Sequence, residues 1–234
     1  MLKKGIFHLW VVFFLFITAS SVLFGQEIIT ADRYLEMVSE HYGTIKDYEA
    51  SVVIRSGNNE MTGTLIHLSP SCLRIDFTKP ADQVIVFDGE LLQVYLPEFR
   101  VALDQRVEKN GRASASTGAG LATAQGLALL RKNYVKSYDS GPAPVPLENN
   151  SRERVVKLRL TRNTVSEGFR EIMLSINPDT KLIRRIEGRT IADSEVRFDF
   201  TNVKINQGIP VMRFVYQSPA SANDIHNFLS RDSD

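Results

Sequence analysis

Few side chains in this chain are spaced for chemistry. The histidines, His8, His41, His67 and His226, are scattered, and no pair shows the short spacing of a metal-ligand motif. Cys72, the single cysteine, lies between Ser71 and Leu73 with no acid or base partner close in sequence. No G-x-S-x-G accompanies the serines. Asp76 and Asp88 could pair as carboxylates, but Asp88 precedes Gly89 in a hairpin signal and Asp76 suits an outward strand position. These patterns argue against an enzyme, and no metal or cofactor is expected. The remaining distinctive residue is Arg74, set in the run Leu73-Arg74-Ile75-Asp76-Phe77. Its five-donor guanidinium could meet helix C-terminal carbonyls and release them again, or it could face water opposite Leu73 and Ile75.

The elements around Arg74 read as a meander. From Tyr48 the hydrophobic period is two, giving strands over Tyr48–Arg55, Met61–Leu68, Leu73–Phe77, Gln83–Phe87 and Leu91–Leu96. Gly57-Asn58-Asn59, Ser69-Pro70, Lys79-Pro80-Ala81-Asp82 and Asp88-Gly89 supply the turns. A second series covers Val155–Leu160, Phe169–Ile176, Leu182–Glu187, Val196–Val203 and Met212–Tyr216, with Asn177-Pro178-Asp179-Thr180 as a turn. Two helices are expected. One spans Ala31–His41, capped by Thr30 and ended by Gly43, with Tyr34, Leu35 and Val38 as its apolar stripe. The other spans Leu121–Tyr134, with Leu121, Leu127, Leu130 and Tyr134 on one side and Gly126 as a local weakness. Asn110–Gly120 is nearly all small residues and reads as a loosely held loop, and Asp139–Asn150, with three prolines, reads as a surface loop.

Composition fixes the setting. At 234 residues and 43% hydrophobic, the chain can bury a substantial core. Lys3 and Lys4, the apolar run Trp10–Ile17 and small residues up to Gly25 form a secretion signal over residues 1–25, leaving 26–234 as a single domain. Cleavage after Ser21 and an uncleaved anchor over Ile6–Phe24 are the alternatives. Without Lys3 and Lys4 there are 26 basic against 27 acidic residues, a balance that gives no electrostatic case for nucleic acid. The fold class is mainly β with helices: one large curved antiparallel sheet, an incomplete barrel closed by helices on its concave side. Those helices either form a removable plug over a ligand cavity or complete the core permanently.

Several segments carry a resemblance. Gly63-x-Leu65, Leu73–Phe77, Gln83-Val84-Ile85-Val86-Phe87-Asp88-Gly89 and Tyr95-x-Pro97 resemble the central signature of the periplasmic outer-membrane lipoprotein carriers, the LolA family. Phe198-x-Phe200-x-Asn202-Val203-Lys204-Ile205-Asn206 and Phe214-x-Tyr216-x-Ser218-Pro219 are similar to its closing strands, so the likeness spans roughly Thr30–Ile225. The chain departs from that pattern at Ser69-Pro70-Ser71-Cys72-Leu73 and in the small-residue loop Asn110–Gly120.

The resemblance implies a periplasmic monomer that holds the acyl chains of lipoproteins. It would receive them from an inner-membrane lipoprotein-releasing transporter and pass them to an outer-membrane acceptor. It also implies that Arg74 closes the helical lid by bonding to helix backbone. For the cavity wall, the strand pattern nominates Val52, Ile54, Leu65, Ile75, Phe77, Val84, Val86, Leu92 and Val94 from the first half. From the second half it nominates Leu158, Ile172, Leu174, Phe198 and Phe200. A related lipid-binding, sensor or scaffold domain without lipoprotein transfer is the alternative, with Lys181–Arg189 as a candidate contact strand.

Overall fold

Alternation of apolar and polar residues turns most of this chain into strands with one dry face, and those strands join in one sheet. The computed structural model describes residues 29–107, 118–164 and 168–227. The expected signal segment and most of the small-residue loop, residues 110–117, lie outside that range. Helix α1 spans Ala31–Thr44 and α2 spans Ala124–Asn133. The strands are β1 (Asp47–Ser56), β2 (Asn59–Leu68), β3 (Cys72–Lys79), β4 (Val84–Phe87), β5 (Leu91–Leu96), β6 (Val101–Arg106) and β7 (Tyr134–Tyr138). They continue with β8 (Val145–Pro146), β9 (Arg154–Arg162), β10 (Phe169–Ile176), β11 (Ile183–Thr190), β12 (Glu195–Ile205) and β13 (Asn223–His226).

The thirteen-stranded sheet has the order β13-β6-β5-β4-β3-β2-β1-β12-β11-β10-β9-β7, with β8 beside β9. All pairings are antiparallel except β13 with β6. The two meanders therefore meet where β1 pairs with β12, Val52 opposite Phe200 and Ile54 opposite Phe198. Both helices lie on one face, and their stripes are fully dry: Leu35 and Val38 from α1, Leu127 and Leu130 from α2. Caps set the helix starts, since the Thr30 hydroxyl accepts from the Arg33 amide and that of Thr123 accepts from the Gly126 amide.

Several expectations need correction. Helix α1 runs through Gly43 to Thr44, and Tyr134 opens β7 rather than closing α2. Gly118–Ala122, the end of the expected loose loop and the start of the expected second helix, forms a 3-10 turn against α2. Met212–Tyr216 is not a strand. Val211–Phe214 is a second 3-10 turn, because the chain turns there to bury Phe214 alone and leaves Val211, Met212 and Val215 in water.

The C-terminal segment that carries this turn crosses the face opposite the helices. The Asp47 carboxylate accepts the amides of Gln207 and Gly208 at 2.6 and 3.1 Å, fixing the segment where it leaves β12. Phe214 then packs with Ile66, Cys72 and Val86, and the segment leads on to β13 along β6. No helix among the described residues is long and apolar enough to cross a membrane.

Candidate functional site

Register decides which residues share a face. One inner row runs Ala50-Leu65-Ile75-Ile85-Val94-Leu103-Ile225 across seven strands, β1 to β6 and then β13. Its first three members are buried beneath the helices, the next three are half-buried, and Ile225 is 46% exposed. Burial under the helices is therefore complete at one end of this apolar row and falls off toward β13.

The covered part packs against the helices. Of the expected wall residues, Val52, Ile54, Leu65, Ile75, Phe77, Leu158, Ile172, Leu174, Phe198 and Phe200 all lie in the same buried core as the helix stripes. Between Tyr42, Tyr48, Ala122 and Phe200 remains a cavity of about 10 Å³, space for about one water and none for an acyl chain. Leu92 and Val94 share this face, opposite Phe87 and Ile85, but stand outside the buried core.

Three nominated residues point the other way. Val84 and Val86 pair with Asp76 and Arg74 on the outer face, and Val86 packs under Phe214 while Val84 packs beside it. The single-residue shift arises because the run Val84–Phe87 is apolar on both sides. The C-terminal segment covers its outer face, so periodicity gives no phase there. Arg74 does not reach α1 or α2. Its Nε donates to both oxygens of Asp76 at 2.9 Å, its Nη1 donates to the Arg213 carbonyl at 2.9 Å, and its guanidinium lies 5.9 Å from the Tyr216 ring centroid. Arg74 thus clamps the C-terminal 3-10 turn rather than the helices. Arg74→Leu should leave the core intact while protease cuts residues 210–218 several-fold faster, as mass spectrometry of limited digests would show.

Tyrosines hold the helices instead. The Tyr48 hydroxyl donates to the Ala122 carbonyl at 2.9 Å, and the Tyr42 hydroxyl accepts the Ile183 amide at 3.0 Å. Burial pushes the pKa of both phenols up, so each keeps its proton. Tyr48 was legible as a member of the period-two set with Ala50, Val52 and Ile54, but nothing in sequence marked its hydroxyl as a tether. Further ties are Glu36 to Arg131 between the helices and Asp32 to Lys136 from α1 to β7, both 2.7 Å. Such half-exposed pairs add little each. Tyr48→Phe leaves a buried carbonyl unpaired and should cost about 1–3 kcal/mol in denaturant melts, with faster amide exchange in α2.

His67 is buried on the inner face, its ring 5.2 Å from that of Tyr48 and its Nδ1 2.8 Å from the Cys72 carbonyl. Its pKa is held below the ordinary 6.5, chiefly by burial, with the Cys72 carbonyl and the Asp47 charge opposing. Below that ordinary value the unfolded chain takes up a proton that the folded chain refuses. Stability that is full above about pH 6.5 therefore falls as the pH drops. Melts at about pH 7.5 and 5.5 should show that loss, and His67→Gln should reduce it.

Charge on the outer face is balanced. A pocket of about 430 Å³ there is lined by Arg55, Arg189 and Arg197 against Glu171, Glu187 and Glu195. In the nominated contact strand, Arg184 and Arg185 are engaged by Asp199, Glu153 and Glu148. Among the described residues, no group of three or more His, Cys, Asp or Glu side chains could hold a metal ion.

A single open sheet, its apolar face half covered by two helices, defines a protein of the incomplete-barrel class. Residues 52–217 match the model of the outer membrane lipoprotein carrier protein LolA, and the chain belongs to that family. It is 25% identical over 179 residues to the outer-membrane lipoprotein carrier protein of Dechloromonas aromatica (strain RCB), covering 76% of this chain and 78% of that one. The corresponding protein of Bordetella avium (strain 197N) is 20% identical over 194 residues, covering 82% and 85%. Among solved structures, an uncharacterized conserved protein from Thermus thermophilus has a TM-score of 0.54 at 14% identity, covering 84% of this chain and 98% of that one. The crystal structure of MucB has a TM-score of 0.51 at 16% identity, covering 82% and 64%. These two share the fold.

Proposed function

We propose that this protein is a periplasmic carrier that holds the acyl chains of lipoproteins against the inner face of its sheet and moves them from the inner to the outer membrane. The observation that carries the reading is the apolar inner row that continues past the helices through Ile85, Val94 and Leu103 to Ile225. Membership of the lipoprotein-carrier family supports acyl chains as the occupant of that row. Each buried CH₂ of an acyl chain contributes about 0.8 kcal/mol, so a modest surface suffices to hold one. Residues 1–25 would direct export, and an inner-membrane transporter and an outer-membrane acceptor would be the partners at the two ends of the route.

Export of the full chain, extraction of the purified protein and mass spectrometry of what it carries tests the binding step. Acylated peptide or lipid at near-stoichiometric yield is expected. Recovery of none, together with no movement of labelled lipoprotein between membrane fractions, would count against the carrier. Ligand without movement would favour the related lipid-binding reading.

A further inference from the structure

The outer-face pocket of about 430 Å³ is balanced in the number of its charges but not in their pairing. Glu187 on β11 stands directly opposite Arg197 on β12, and such a cross-strand pair ordinarily closes. Here it stays open. Arg197 turns instead to Asp199, its Nε 3.2 Å from Oδ2, and to Glu148, its Nη1 3.7 Å from Oε1. The cross-strand neighbour of Glu187 on β10 is Met173, which carries no charge. Arg185, two residues back, feels the Glu187 charge but gives its donors to Asp199 and Glu148, both at 2.6 Å. Among the described residues the Glu187 carboxylate therefore has neither an ion pair nor a hydrogen-bond donor, although it is half-buried in the pocket wall.

We propose that this pocket binds a primary ammonium group on an aliphatic stem, the end of a lysine side chain, with Glu187 as its anion and Met173 against the stem. The site lies on the face opposite the helices and does not depend on the carrier reading.

The rest of the wall suits a cation better than its three arginines suggest. Arg55 donates to Glu60 at 2.8 Å and to Asp199 at 3.0 Å, and Arg189 donates to Glu195 at 2.8 Å. Glu171 is held by Arg159 at 2.6 Å. Each of these charges already has a counter-ion, so an anionic ligand must break a pair to be held. A cation reaches Glu187 without breaking any. An ammonium is a compact charge that sits on one carboxylate, whereas a planar guanidinium needs room for its fork beside three guanidiniums already present. Met173 is half-buried beside Glu187 and gives the methylene stem an apolar surface while the charged head stays on the carboxylate. The pocket volume falls within the range of small-ligand sites.

Two sources carry this chemistry, a free small amine and a lysine on another protein, and two probes distinguish them. Butylamine and the peptide acetyl-Ala-Lys-Ala-amide are titrated into the isotope-labelled exported protein, with backbone amide shifts as the readout. Both should move amides at 171–173, 187–189 and 195–197. The peptide in which norleucine replaces lysine should bind at least about fivefold more weakly, and raising the salt should weaken the lysine peptide several-fold. Glu187→Gln should weaken both probes about five- to tenfold with a melt close to wild type, because no partner is orphaned by the change. Glu187→Asp should recover part of that loss, and Glu98→Gln, on the exposed turn between β5 and β6, should change nothing. A peptide that binds at least tenfold tighter than butylamine identifies a protein segment as the source, and equal binding identifies the free amine. Equal binding of the norleucine peptide, unchanged binding to Glu187→Gln, or no shift with either probe would overturn the site.

Discussion

Replacing Asp199 with Asn should destabilise the fold by about 3–5 kcal/mol, the range for removing one partner from a buried charge network. The Asp199 side chain is 8% exposed and stands among four guanidiniums. Arg185 Nε donates to it at 2.6 Å, Arg55 Nη1 at 3.0 Å and Arg184 Nη1 at 3.3 Å. Arg197 Nε lies 3.2 Å away as an ion pair without hydrogen-bond alignment. Arg55 and Arg197 are direct cross-strand partners at the junction of the two meanders, and Asp199 neutralises a like-charge pair that would otherwise repel. An Asn side chain keeps the shape and removes the charge. A drop in Tm of roughly 8–15 °C is expected for a chain of this size. Glu195→Gln, which breaks an ion pair whose acid is 73% exposed, should shift the melt far less. Equal shifts for the two would show that the Asp199 cluster does not fasten the sheet.

This cluster was not legible in the sequence. Arg55, Arg197 and Asp199 read as ordinary outward positions of alternating strands, Arg184 and Arg185 lay in the candidate contact strand, and only the pairing of β1 with β12 and of β12 with β11 brings them together. Local signals fared better. The Thr30 cap and the stripe through Leu35 and Val38 placed α1, and β5 and β10 fall at their expected bounds because turn residues flank them. Most of the nominated wall landed on one face for the same reason: two-residue periodicity fixes direction once phase is known. Phase failed where both faces are covered. Val84 and Val86 were misplaced there, and Arg74 was assigned to the helices although its neighbour Ile75 occupies the inner position. Strands β6 and β13 escaped notice because Val-Ala-Leu-Asp-Gln-Arg and Asn-Asp-Ile-His carry little alternation. The far end of the inner row depends on those two strands, so it could not be seen before the pairing was known.

Gly126→Ala should be the second large loss, about 3 kcal/mol, although helix propensity alone favours alanine by up to about 1 kcal/mol. A Cβ at this position would sit 2.2 Å from the Gly120 carbonyl oxygen and 2.6 Å from the Leu121 Cα, both backbone atoms that cannot rotate away. The 3-10 turn and α2 would have to separate. That strains the Thr123 hydroxyl, which donates to the Gly120 carbonyl at 2.8 Å and accepts the Gly126 amide at 3.0 Å, and then the Tyr48 bond to Ala122. The glycine that weakens this helix by propensity is thus what allows it to seat. Gly43 supplies the contrast. It lies inside α1 with nothing within 4 Å of its Cβ position, so Gly43→Ala should stabilise by about 0.5–1 kcal/mol. Denaturant melts of both variants measure the difference, and a dye that reports exposed apolar surface should bind Gly126→Ala more than wild type.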